Sequence, residues 1–275
     1  MKNTVRQFAA GLVLALVANL AFAKDRVLIV PTHPDDLAHS LGFCLVATNE
    51  FEIHVCDYTH GERGLGPVNF TNGYTKAVRT AEEQRVCDAI GAKLHWLDEI
   101  DGTAYAGKET CDRLVRLIVE LRPVAVFAHW PIDMHPDHVM SGAATLRAIA
   151  TSSTKDYKPE VYFFFQEYGA KDYQPDVYVD ITDVVDRKFE LIRYWACQMP
   201  KSPDAPYGMP RRKIWTDAFF GMQTAMARMS NSAETFRSMF PRMAGGKPTI
   251  FDRLRRSPRD IPRWLGVKDL PADLR

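Results

Sequence analysis

No apolar run in this chain is long enough for a confident membrane span, which needs about 20 residues. Neither sign of charge dominates. Thirty-five Lys and Arg stand against 34 Asp and Glu, for a formal net charge of +1. A nucleic-acid binder usually carries a basic excess, so that class gains no support. The five cysteines, Cys44, Cys56, Cys87, Cys111 and Cys197, contain no CxxC pair, so a structural zinc knuckle is not indicated. Most sit singly among apolar neighbours, as small core residues do and nucleophiles do not. An HExxH helix, a phosphate loop and a GxSxG elbow are all missing, and the chemistries they carry lose their usual signature. Internal repeats are missing too. What is present is ordinary for a globular chain of 275 residues: 46% hydrophobic and 25% charged, enough to bury a sizeable core.

The first segment reads as a leader. Lys2 and Arg6 form a short positive start, and Phe8 to Ala23 carries no charge. Ala21-Phe22-Ala23 is a small-x-small ending, followed by Lys24 and Asp25. This is the layout of a secretory signal peptide cleaved after Ala23. The expectation is therefore a leader over 1–23, a secreted or periplasmic location, and one domain over 24–275 with a C-terminal extension. No Cys follows the cleavage site, so a lipoprotein signal is not expected.

Beyond residue 24 the pattern alternates. Val27 to Val30, Ile53 to Cys56, Leu94 to Leu97, Val124 to Ala128, Val161 to Phe165 and Val177 to Ile181 read as strands. Helix-like stretches lie at about 37–48, 75–91, 108–121 and 137–150, with apolar residues recurring at three and four. Leu114, Leu117, Ile118 and Leu121 show that spacing. Asp183 to Cys197 reads as a further helix, and 214–229 as another. Strand runs that are apolar throughout point to burial on both faces, and their alternation with helices points to βαβ units and a parallel sheet. The tail from Lys247 is rich in Pro and Arg and reads as solvated.

Two His/Asp clusters fall at matching places in this pattern. His33-Pro34-Asp35-Asp36 follows the first strand, and His135-Pro136-Asp137-His138 follows the fourth. Segments leaving the carboxyl ends of parallel strands meet along one sheet edge, so the clusters can meet in space. His33, Asp36 and His138 then supply two imidazoles and one carboxylate, a set suited to a catalytic Zn²⁺ with an open position. Asp35 stays free beside them, placed for general-base work on water. His135 is also left over, to polarise a carbonyl or protonate a leaving amine. Each residue alone reads blandly, since a His after a strand is commonly a satisfied polar group and adjacent aspartates cap helices. Two such clusters at two strand ends weaken that reading.

These residues resemble the paired motifs of the PIG-L/LmbE-like N-acetylglucosaminide deacetylases. Thr59-His60-Gly61-Glu62-Arg63-Gly64 is similar to that family's T-x-G-E-x-G loop. Arg79 with Glu82, then Ile90-Gly91, resembles its R-x-x-E helix; Asp133 fits a D-x-H-P-D-H extension; Ala233 to Arg237 resembles a late A-E-x-F-R segment. The resemblance implies a Rossmann-like α/β domain: a mostly parallel sheet, helices on both faces, and one zinc site at the carboxyl ends of the strands. It implies His33, Asp36 and His138 as ligands, Asp35 as base, His135 as electrophilic or acid partner, and substrate contacts from Arg79 and Asp133. The implied reaction removes the acetyl group from an N-acetylglucosamine-type sugar or glycoconjugate.

The chain departs from that pattern at two places. Leu37 stands where the first motif usually continues with Glu, and Trp195-Ala196-Cys197-Gln198 replaces an H-x-S-Q stretch. The departures keep two other readings open: a zinc-dependent amidase or esterase on another substrate, and a metal-containing sugar-binding protein without turnover. Glu62, Arg63, Trp96 and Trp130 are further candidates to orient a sugar, against the plainer reading of solvated charges and packed rings.

Overall fold

The computed structural model describes residues 24–65, 67–164, 172–198, 233–240 and 247–254. The expected leader over 1–23, the expected helix over 214–229, Phe165 and the tail beyond 254 lie outside these residues.

Seven strands form one sheet: β1 (Asp25–Ile29), β2 (Phe51–Thr59), β3 (Lys93–Glu99), β4 (Ala125–His129), β5 (Glu160–Phe164), β6 (Val177–Asp180) and β7 (Ala233–Ser238). Their order is β3-β2-β1-β4-β5-β7-β6. Strands β3 to β5 in that order pair in parallel, while β7 pairs antiparallel with both β5 and β6. Successive side chains enter opposite layers, as the pleat requires. Val27 and Ile29 face one apolar layer, and Leu28 and Val30 face the other. That two-sided burial is why these strands read as unbroken apolar runs.

Helices cover both faces. The first layer takes α1 (Leu41–Ala47), α3 (Tyr74–Ile90) and α6 (Val185–Ile192) through Phe43, Val86 and Leu191. The second takes α4 (Lys108–Leu121) and α5 (Pro136–Ser152) through Leu114, Ile118 and Ala148. A short helix, α2 (Pro67–Thr71), precedes α3. Among the described residues no helix is long and apolar enough to cross a membrane.

The sequence pattern differs from the structure at three places. The helix expected at 37–48 is split into a 3-10 turn, Pro34–His39, and α1. Asp36 accepts the His33 amide at 2.9 Å and tightens that turn, and Pro34 opens it. The helix expected from Asp183 to Cys197 breaks into two 3-10 turns, Thr182–Val184 and Ala196–Gln198, flanking α6. Ala233–Ser238, read only as a motif, is a strand inserted between β5 and β6.

The central pair β1–β4 positions the site. The chain leaves β1 toward β2 on one side, while β4 lies on the other, so the connections diverge between them. Such a switch point opens a crevice beyond the carboxyl ends of the strands. His33 lies just past β1, and His135 caps α5 just past β4.

Candidate metal centre

Three imidazoles surround one carboxylate oxygen. Oδ2 of Asp36 lies 3.1 Å from Nδ1 of His33, 3.3 Å from Nε2 of His138 and 3.4 Å from Nε2 of His129. His33, Asp36 and His138 are all buried, and each offers a ligand atom within 4.8 Å of the others. The expected set thus comes together from two segments distant in sequence. His129, the last residue of β4, joins it, one residue beyond the end expected at Ala128.

The far nitrogens of both rings face acids. Nε2 of His33 lies 3.3 Å from Asp101 and 3.5 Å from Asp137. Nδ1 of His138 lies 3.3 Å from Asp133. Neither nitrogen has a well-formed hydrogen bond within the protein, although both are buried. One nitrogen toward a common centre and the other toward a carboxylate is how metal-ligating histidines are generally oriented.

Electrostatics point the same way. Burial opposes charge on His33, but Asp101, Asp137 and Asp36 outweigh it and raise its pKa well above the ordinary value. Burial likewise opposes charge on His138, yet Asp36 and Asp133 push it up to about 9. Burial opposes charge on the Asp36 carboxyl too, yet it stays well below the usual range, chiefly because of His138, with His33 adding to the effect. Four aspartates on two rings make a centre that attracts positive charge, whether protons or a divalent cation.

The neighbouring loops are tied to this centre by backbone bonds. Asp137, left without a role by the sequence, accepts from the amides of Gly102 at 2.6 Å and Ala104 at 3.3 Å. Asp101 accepts from the Arg63 amide at 2.9 Å, and its own amide donates to the buried Glu62 at 3.2 Å. Glu62 is therefore a bonded loop anchor. The Arg63 guanidinium instead lies over the Phe70 ring, 5.0 Å from its centroid.

Asp35 faces a different partner. Arg79 on α3 is only 4% exposed and donates from Nη2 to Oδ1 of Asp35. Two glycines make room for it. Gly61 has φ +63°, and a Cβ there would stand 2.5 Å from the guanidinium; one at Gly64 would stand 2.7 Å away. His135 is exposed, with its ring centroid 4.9 Å from that of His33 and 4.6 Å from that of His138. Its Nδ1 accepts the Asp137 amide at 3.2 Å, which leaves the ring proton on Nε2. Asp133 sits deeper. Its side chain is 1% exposed, and it accepts the His135 amide at 2.8 Å.

The remaining candidates are packed. Trp96 stacks on His60 at 3.9 Å, and Trp130 meets Phe163 and Tyr173 edge-on. Leu37 is fully buried in the first apolar layer. Trp195 is buried and donates to Glu83 at 2.5 Å, and the amide of Cys197 donates to Glu82 at 2.8 Å. All five cysteines are free thiols. Burial pushes the Cys197 thiol up to about 12, away from nucleophilic use.

Residues 28–149 match the family described as PIG-L: GlcNAc-PI de-N-acetylase. The chain is 30% identical over 189 residues to a probable N-acetyl-alpha-D-glucosaminyl L-malate deacetylase 2 of Bacillus anthracis, covering 64% of this chain and 82% of the relative. In fold it is similar to the N,N'-diacetylchitobiose deacetylase from Pyrococcus horikoshii, with TM-score 0.68, 21% identity, and coverage of 79% of this chain and 84% of that one. It is also similar in fold to the 4-carboxy-2-hydroxymuconate hydratase GalB from Pseudomonas putida KT2440, with TM-score 0.66, 23% identity, and coverage of 80% and 98%. The chain belongs to the PIG-L/LmbE-like N-acetylglucosaminide deacetylase family.

Proposed function

We propose that this protein is a zinc-dependent hydrolase that removes the acetyl group from an N-acetylglucosamine-type sugar or glycoconjugate. The carrying observation is the convergence of His33, Asp36 and His138 on one point with Asp35 left out of the set. Two imidazoles and a carboxylate suit zinc, and outer nitrogens that each face an aspartate suit imidazoles oriented to hold an ion. Bound there, zinc supplies Lewis acidity and brings the pKa of a coordinated water to about 7.

The protein's own residues supply the rest. Asp35 takes a proton from the attacking water and passes it to the departing amine nitrogen, so water and amide become acetate and amine. Arg79 holds Asp35 and adds positive charge beside the reacting carbonyl. His135, with its proton on Nε2, donates a hydrogen bond toward the developing oxyanion. Asp133, buried behind His138, orients that ring; this role differs from the substrate contact that the motif resemblance implies. The leader-like start adds a proposal of export to a secreted or periplasmic location, with Lys24 as the mature first residue.

The similarity to a hydratase favours one second reading, in which the same water and base add across a carbon–carbon double bond. The test is a panel of N-acetylated amino sugars and their conjugates assayed for acetate, with conjugated unsaturated acids assayed for loss of absorbance. Acetate from at least one sugar supports the deacetylase. Turnover of the unsaturated acids alone supports the hydratase. Stoichiometric zinc and sugar binding without any product supports a binding protein.

A further inference from the structure

His129 touches both halves of the centre. It is fully buried at the end of β4. From the first cluster's side, the Thr32 amide donates to its Nε2 at 3.1 Å, one residue before His33. On the second cluster's side, its ring stacks on His138, with centroids 4.1 Å apart and planes at 21°. Phe164 closes a third side edge-on at 4.5 Å. Helix α5 comes this close to β4 because residue 142 is glycine: a Cβ there would stand 3.1 Å from the His129 carbonyl oxygen.

The Thr32 bond settles the chemistry of the ring. An Nε2 that accepts an amide proton presents a lone pair, so the ring proton is on Nδ1 and the ring is neutral. That lone pair is already engaged by the Thr32 amide. Nε2 also lies 3.4 Å from Oδ2 of Asp36, so this ring limits where the Asp36 carboxylate can settle.

We propose that His129 is a positioning residue of the metal centre, a neutral ring that holds Thr32–His33 and His138 in register so that both imidazoles and Asp36 meet at one point. This rests on the reading of the centre as a zinc site. It differs from simple core packing because the Nε2 acceptor, and not only the ring volume, matters.

The test is the zinc dissociation constant by chelator competition, measured on the full chain for the wild type, His129→Phe and His129→Gln. Phenylalanine keeps the flat ring and loses the acceptor; glutamine loses the ring and keeps an acceptor. The expected result is a loss of affinity of about 10–100-fold in His129→Phe, the range seen when outer partners of metal ligands are removed, with partial recovery in His129→Gln. Circular dichroism identifies any variant that fails to fold. If His129→Phe does not fold, the glutamine variant is compared with His129→Ala, which lacks both features, and must bind zinc more tightly. Zinc binding by the wild type with equal affinity in all folded variants would overturn the proposal. A wild type that binds no zinc would instead overturn the reading of the centre itself.

Discussion

Arg79 donates to Asp35 from across the loop Thr59–Gly64, so the one carboxylate of the first cluster outside the proposed ligand set is held by a buried guanidinium. Replacing Asp35 by Asn keeps the shape and removes the proposed base. The expected outcome is a normal fold, retained zinc and kcat lower by about 10²–10⁴. An unchanged kcat in a zinc-loaded Asp35→Asn protein would refute the role given to this residue.

The same loop gives a second test. Gly61→Ala places a residue with a Cβ at φ +63°, which costs about 1–2 kcal/mol for an ordinary L-residue. It also pushes that Cβ into the guanidinium and moves Arg79 off Asp35. Stability should fall by roughly that amount and kcat should fall with it, while zinc content per chain stays at the wild-type level. Zinc loss in this variant would show that the loop supports the metal centre and not the base.

A buried ion pair outside the proposed ligand set should matter to folding. Glu234 on β7 meets Lys188 on α6 at 2.7 Å and accepts the amides of Gly42 and Phe43 at 2.7 and 2.6 Å at the start of α1. Both side chains are essentially unexposed. Glu234→Gln leaves the Lys188 charge without its carboxylate and should destabilise by about 3–5 kcal/mol in a denaturant titration. A change below about 1 kcal/mol would mean that the pair is dispensable.

Export is checked by intact mass and N-terminal sequencing of the protein from its native source. The expected first residue is Lys24. An intact Met1 on a soluble cytoplasmic product would sink the idea.

The parts of the fold that were legible are those whose sequence pattern reports local burial. Leu28, Ile29, Val126 and Phe127 are buried on both faces, so β1 and β4 stand out as apolar runs, and the His33 and His138 clusters follow their ends. Strand β7 was hidden because Glu234 sits inside it, buried only by virtue of Lys188 and the first amides of α1. No local pattern carries that partnership. His129 lies one residue beyond the expected strand Val124 to Ala128 and carries no local signal, because its contacts to Thr32 and His138 come from segments distant in sequence. Asp101 needs the fold for the same reason: only the sheet edge brings it to His33. Asp133 was found by its motif, but its burial behind His138 is a tertiary fact.

The most direct test of the account is acetate release before and after metal exchange, in the wild type and in His138→Ala. The protein is stripped with a chelator, assayed on the N-acetyl sugar that the panel identifies, restored with one equivalent of zinc and assayed again, with bound zinc measured at each step. The account predicts about one zinc per chain in the restored wild type, activity that disappears and returns with the metal, and a folded His138→Ala protein that neither holds zinc nor releases acetate. Undiminished acetate release from the stripped wild type, or full zinc occupancy in His138→Ala, would contradict it.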